Sequence, residues 1–185
     1  MEREISKQPM KWEATVSAQL KQASADQIWP LLKDFFGIYK YFPSLSTSYG
    51  VHGNNGEMGS IRYCEGSRIP AKESREKNDG GRKKLEPTPV SWSKEKLIDI
   101  DPIRMSLSYE MVDSNLGFTS YVSTIRIHQD ESIKNNNIGC VLQWSFSVDP
   151  VEGLEFEDLV DKYRVGLQKM ARKLEDSSSS GKVFD

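Results

Sequence analysis

One long helical stripe closes a chain that otherwise alternates. Phe156, Leu159, Val160, Tyr163, Leu167, Met170, Ala171 and Leu174 recur at steps of three and four, which puts apolar side chains on one face of a helix. Ahead of it, the patterned segments repeat mostly with period two, as strands do when one face is buried. The first is the clearest: Trp12, Ala14, Val16, Ala18 and Leu20 alternate with Lys11, Glu13, Thr15, Ser17 and Gln19. Ser24 with Gln27 then reads as a capping box. Ile28, Leu31, Leu32 and Phe35 supply a helix stripe, Gly37 can end it, and Pro30 should bend its axis. A second short helix fits 38–41, before Pro43. Strands follow at 47–52 and 59–65 around Gly53-Asn54-Asn55-Gly56, a hairpin signal. Further strands fit 92–100, 105–112, 117–127 and 139–148. The order predicts an α+β domain, a curved antiparallel sheet of about seven strands wrapped around a long C-terminal helix. Two short helices after the first strand would plug one end. Such a wrap leaves a hollow between sheet and helix, where ligands bind.

The 185 residues suit one domain, read as 11–175. Residues 1–10 read as a flexible arm and 176–185, with four consecutive serines, as a disordered tail. A long polar loop, 67–91, carries Lys72, Glu73, Arg75, Lys83 and Lys84 and ends near Pro87 and Pro89. Connections of that length are lids or inserts, and its Arg82-Lys83-Lys84 run reads as solvated surface. The net charge of −2 offers no field for nucleic acid or anionic lipid. No apolar run reaches the ~20 residues of a membrane span. The N-terminus lacks a signal-peptide core, and two cysteines, Cys64 and Cys140, make no disulfide framework. The expectation is a cytoplasmic protein with reduced thiols, with entry to the nucleus open at this size.

The strand faces nominate the chemistry. Ser60, Arg62 and Cys64 share one face of their strand, and Ser93, Glu95, Leu97 and Asp99 share one of theirs. Met105, Leu107, Tyr109 and Met111 form an apolar face, as do Tyr121 with Ile125 and Ile127, and Leu142 with Trp144 and Phe146. These last three point inward; for the first two alternation leaves both faces open. If Arg62 and Glu95 turn inward they must pair, since a lone buried charge costs several kcal/mol. A carboxylate kept ionised in a dry pocket can act as a base. If they turn outward they form a surface pair worth ~0–1 kcal/mol. Cys64 beside Arg62 would be activated; with no histidine near in sequence, it reads instead as an inert buried thiol. His52 and His128 lack metal-ligand spacing with the cysteines and read as surface residues. No metal or cofactor is expected.

Several pieces occur together and in order: Leu31-Leu32-Lys33-Asp34-Phe35, Pro43-Ser44-Leu45-Ser46, Arg62-Tyr63 with Gly66, Trp92 before Lys94-Glu95-Lys96-Leu97, Ser108-Tyr109, Gly117 with Tyr121, and Trp144-Ser145-Phe146 with Glu152-Gly153. From about Lys11 to Glu175 the chain resembles the plant lachrymatory-factor synthases and their relatives. These sit in the START / birch-pollen-allergen-like superfamily, also described as polyketide cyclase/dehydrase and lipid transport. The resemblance implies a helix-grip fold and a catalytic pair at Arg62 and Glu95. It implies cavity aromatics at Trp92, Tyr109, Tyr121 and Trp144. The implied reaction rearranges an alkenyl sulfenic acid to a thial S-oxide, Arg62 holding the oxygen while Glu95 moves the proton. With Tyr163 on the final stripe and Cys64, these aromatics make the candidate ligand-binding set. Two departures, Ser91 and Gly166 where the family carries aromatics, predict a larger pocket.

Two functions compete. One is a binder of a small, mostly apolar plant metabolite, the other a lyase or isomerase using Arg62 and Glu95. The superfamily hosts both, so fold does not choose. Hormone receptors in it use a gate loop and a latch loop. Arg68-Ile69-Pro70-Ala71 and Asn115-Leu116 lie near those places without matching their signatures. The expected partner is a small hydrophobic ligand, with neither nucleic acid nor membrane insertion; the oligomeric state is left open.

Overall fold

The structure is a computed structural model that describes residues 10–66, 90–130 and 138–180. Most of the polar loop 67–91, the Arg68–Ala71 stretch, the Asn135–Asn137 loop, and the outer ends of the arm and tail lie outside the described residues. The elements run β1 (Trp12–Leu20), α1 (Ala25–Leu32), a single 3₁₀ turn (Ile38–Lys40), β2 (Leu45–His52), β3 (Ile61–Gly66), β4 (Ser91–Asp101), β5 (Ser106–Ser114), β6 (Val122–Gln129), β7 (Cys140–Val148) and α2 (Phe156–Ser180). The strands form one seven-stranded sheet in the order β1-β7-β6-β5-β4-β3-β2, each neighbouring pair antiparallel. This is the helix-grip arrangement expected from the pattern. The curved sheet closes over the buried stripe of α2, Leu159, Tyr163, Leu167, Met170, Ala171 and Leu174.

Local chemistry explains the departures from the sequence reading. At the start of α1, the Gln27 Oε1 accepts the Ser24 backbone N–H at 3.0 Å, as the capping box requires. The helix stops at Leu32, two residues after Pro30, so Phe35 and Gly37 lie beyond it. Phe35 is nonetheless fully buried, because Asp34 turns the chain by accepting the Gly37 N–H at 3.1 Å and Asn55 Nδ2 at 2.7 Å. Asp99 does not share the inner face with Leu97. A register shift between the two places Leu97 opposite Tyr109 but Asp99 opposite Ser108. This bulge sends Asp99 to solvent and turns Ile100 onto the core. The strand expected at 117–127 starts only at Val122, since Gly117 and Ser120 take positive φ of 73° and 51°. The long helix continues past Glu175 to Ser180, where the Ser178 and Ser179 hydroxyls donate to the Glu175 carbonyl at 2.8 and 3.0 Å.

Candidate functional site

Arg62 and Glu95 both turn inward. They stand directly opposite each other on β3 and β4 and are 4% and 8% exposed. Arg62 Nε donates to Glu95 Oε2 at 2.8 Å, and its NH2 lies 2.6 Å from the same oxygen. Arg62 NH1 donates to the Phe35 carbonyl at 2.9 Å. The guanidinium lies 4.0 Å from the Phe35 ring centre and 4.8 Å from that of Tyr109. Burial is the largest single influence and opposes its charge, but Glu95, Cys64 and Tyr109 together outweigh it and hold Arg62 protonated. Both Arg62 contacts crowd Oε2, whereas Oε1 accepts one bond, from Ser93 Oγ at 2.9 Å. A carboxylate oxygen has about two acceptor sites, so Oε1 keeps one.

A cavity of about 130 Å³, open to solvent on one side, lies against this carboxylate. Its deep walls are Cys64, Glu95, Tyr109, Tyr121, Trp144 and Tyr163, all buried. Its half-exposed rim includes Phe42, Leu45, Met111, Leu116, Phe118 and Lys162. Arg62 is absent from the described walls; it stands behind Glu95. This differs from the role the resemblance implied, in which Arg62 itself holds a substrate oxygen. The Tyr121 and Tyr163 hydroxyls meet at 2.6 Å. Burial comes first in pushing the Tyr109, Tyr121 and Tyr163 hydroxyls up, and Glu95's charge adds to it. These phenols are therefore neutral donors at ordinary pH. Trp144 Nε1 donates to Ser123 Oγ, which donates to the Ser145 carbonyl at 2.9 Å. Burial and Glu95 also push the Cys64 thiol well up, against the pull of Arg62. Its sulfur lies 3.9 Å from Glu95 Oε2, and it matches the inert thiol read from sequence.

Two candidates sit otherwise than the sequence suggested. The Trp92 ring stacks on Tyr63 at 6.1 Å, and Tyr63 packs on Tyr49 at 5.2 Å, on the face opposite Arg62. Trp92 therefore borders the cavity only at its rim. Gly166 does not open space, since a Cβ there would meet the Phe42 ring at 3.0 Å. Phe42 also packs edge-on against Trp144 at 5.3 Å. The aromatic missing from α2 is thus replaced by one from the loop before β2. Phe42 was the contribution that sequence pattern missed, since it lies in an irregular segment where no periodicity assigns a face; Phe35, read as part of the helix stripe, packs on Arg62 from beyond the helix's end. His52 is exposed and His128 half-buried. Among the described residues, no group of three or more His, Cys, Asp or Glu is placed to hold a metal, and no helix is long and apolar enough to cross a membrane.

The chain belongs to the polyketide cyclase / dehydrase and lipid transport family, whose model matches residues 11–175. Its fold is shared with protein XoxI from Bacillus cereus, at TM-score 0.62 and 14% identity over 93% of this chain and 99% of that one. It is also similar to ginseng major latex-like protein 151 from Panax ginseng, at TM-score 0.59 and 15% identity over 90% of this chain and 98% of that one. At such identities the likeness speaks for the fold alone.

Proposed function

We propose that the chain binds one small, mostly apolar plant metabolite inside this cavity. The observation that carries the reading is a mostly apolar hollow with Glu95, Tyr109, Tyr121 and Tyr163 gathered on its deep wall. A cavity of about 130 Å³ is on the scale of the ~150 Å³ engineered cavity that takes benzene. The family description, which includes lipid transport, supports an apolar ligand. Residence in the cytosol accords with two free, buried thiols. The test is native mass spectrometry after equilibration with a small-molecule extract of plant tissue. One small molecule per chain should be retained, and Met111→Trp, which fills the rim, should abolish retention. Unchanged retention in the folded variant would place binding elsewhere.

A second reading, an isomerase of the lachrymatory-factor synthase type, is favoured by one detail, the spare acceptor site on Glu95 Oε1. In this reading Glu95 takes the O–H proton of a small alkenyl sulfenic acid and returns it to the terminal alkene carbon, giving the thial S-oxide without other reactants. Arg62 positions and neutralises Glu95 from behind, and the tyrosine hydroxyls hold the substrate oxygen. Glu95→Gln should then retain ligand while losing turnover of the sulfenic acid; persistent turnover would remove this reading.

A further inference from the structure

We infer that the cavity selects uncharged ligands carrying a hydrogen-bond donor, and rejects carboxylates of the same shape. The inference rests on the proposed ligand-binding function and narrows its substrate class. Its first ground is the direction of charge. The deep wall presents the Glu95 carboxylate, while the cation that balances it does not line the cavity. Arg62 is engaged by Glu95 and the Phe35 carbonyl, and its guanidinium packs against the Phe35 and Tyr109 rings. Held there outside the cavity lining, it balances Glu95 without presenting its charge to a ligand. Lys162, the other cation at this site among the described residues, stands at the half-exposed rim. An anion seated deep would face Glu95 without a matching cation, and like charges a few ångströms apart repel.

The second ground is the hydrogen-bond inventory. Glu95 Oε1 accepts one bond, from Ser93, and can take another. The Tyr121–Tyr163 pair holds two hydroxyl protons, of which one closes the bond between them. The other is left for Ser123 or for a ligand, and the Tyr109 hydroxyl stands on the same wall. The wall thus sets the Glu95 acceptor beside phenol donors. The complement is a small molecule with an acidic or amide X–H beside a carbonyl-like oxygen, its apolar part directed to Phe42, Leu45, Met111 and Phe118. A carboxylate supplies two acceptors and no donor.

Matched probes separate the ideas: crotonamide and crotonate share size and shape, and benzene carries no polar group. Titrations of the isotope-labelled full chain at neutral pH, followed by NMR, should show benzene binding and crotonamide binding at least ~10-fold tighter than crotonate. In Glu95→Gln the preference should shrink or reverse, because Arg62 is then uncompensated. Crotonate binding as tightly as crotonamide to the wild-type chain would overturn the inference, while benzene binding left the cavity reading intact. Failure of benzene and crotonamide alike would overturn both. The wild-type comparison needs no variant, so a misfolded Glu95→Gln protein leaves the test decisive.

Discussion

Arg62 is buried with its partners. Glu95, the Phe35 carbonyl and two aromatic rings contact its guanidinium, and the residue is 4% exposed. A buried pair of this kind contributes little net stability when whole and costs much when halved, because the survivor is a desolvated lone charge. Arg62→Leu should therefore destabilise the chain by about 3–5 kcal/mol. Glu95→Gln should cost less, since the amide oxygen can still accept from Arg62 while the amide N–H turns to donate to Ser93 Oγ. The double variant should recover part of the Arg62→Leu loss. Chemical denaturation of all four proteins measures this, and strictly additive losses would mean the two residues are uncoupled. The cysteines make a second residue-scale case. Burial, with Glu175 and Asp130 behind it, pushes the Cys140 thiol up to about 12, and Cys64 is displaced in the same direction. Since the thiolate is the nucleophile, neither should react with a disulfide reagent at pH 8 in the folded protein. Two thiols per chain should appear once denaturant is added. Rapid labelling of folded protein would contradict the burial that the fold assigns them.

At the scale of elements, legibility followed periodicity. β1, β5 and β7 alternate cleanly, so their inward residues were readable, and α2 declared itself by its stripe; on β3 alternation left the face of Arg62 open. Glu95 was ambiguous because β4 carries charge on both faces. Its inward setting comes from its register opposite Arg62, which a single strand's pattern does not contain. Asp99 was misplaced because a bulge reverses alternation without a reliable residue signature. Trp92 shows a further limit: its ring stacks on Tyr63 while it borders the cavity at the rim, a double setting that alternation does not show. The loop before β2 was the least legible and supplies Phe42, whose contact with α2 can be tested. Replacing a helical glycine by alanine is worth roughly 1 kcal/mol, but at Gly166 the new methyl would lie 3.0 Å from the Phe42 ring. Gly166→Ala should therefore be close to neutral in the wild-type background and stabilising by about 1 kcal/mol in Phe42→Ala. Equal effects in both backgrounds, measured by thermal denaturation, would show that Phe42 does not press on the helix.

The whole molecule wraps its sheet around α2 and thereby shuts several weak acids away from water. Cys64, Cys140, Tyr109, Tyr121 and Tyr163 are all displaced upward, burial being the first cause in each. These shifts share one sign, so they add. In the unfolded chain, thiols and phenols lose their protons at about 8.5 and 10. In the native state they hold them to higher pH. Above about pH 9 the native state thus binds more protons than the unfolded one, and stability must fall as pH rises. Below about pH 8 both states are protonated at these groups, and their contribution is constant. Arg62, also displaced upward, stays charged in both states through this range and contributes no slope. Thermal melts should therefore give a level Tm from about pH 7 to 8, then a decline that steepens toward pH 10.5. Tyr163→Phe removes one of the five groups and should make that decline shallower, whatever it does to Tm at neutrality. A Tm that held level to pH 10.5 would mean that these hydroxyls and thiols are not sealed from solvent, and that the cavity wall they form opens in the native state.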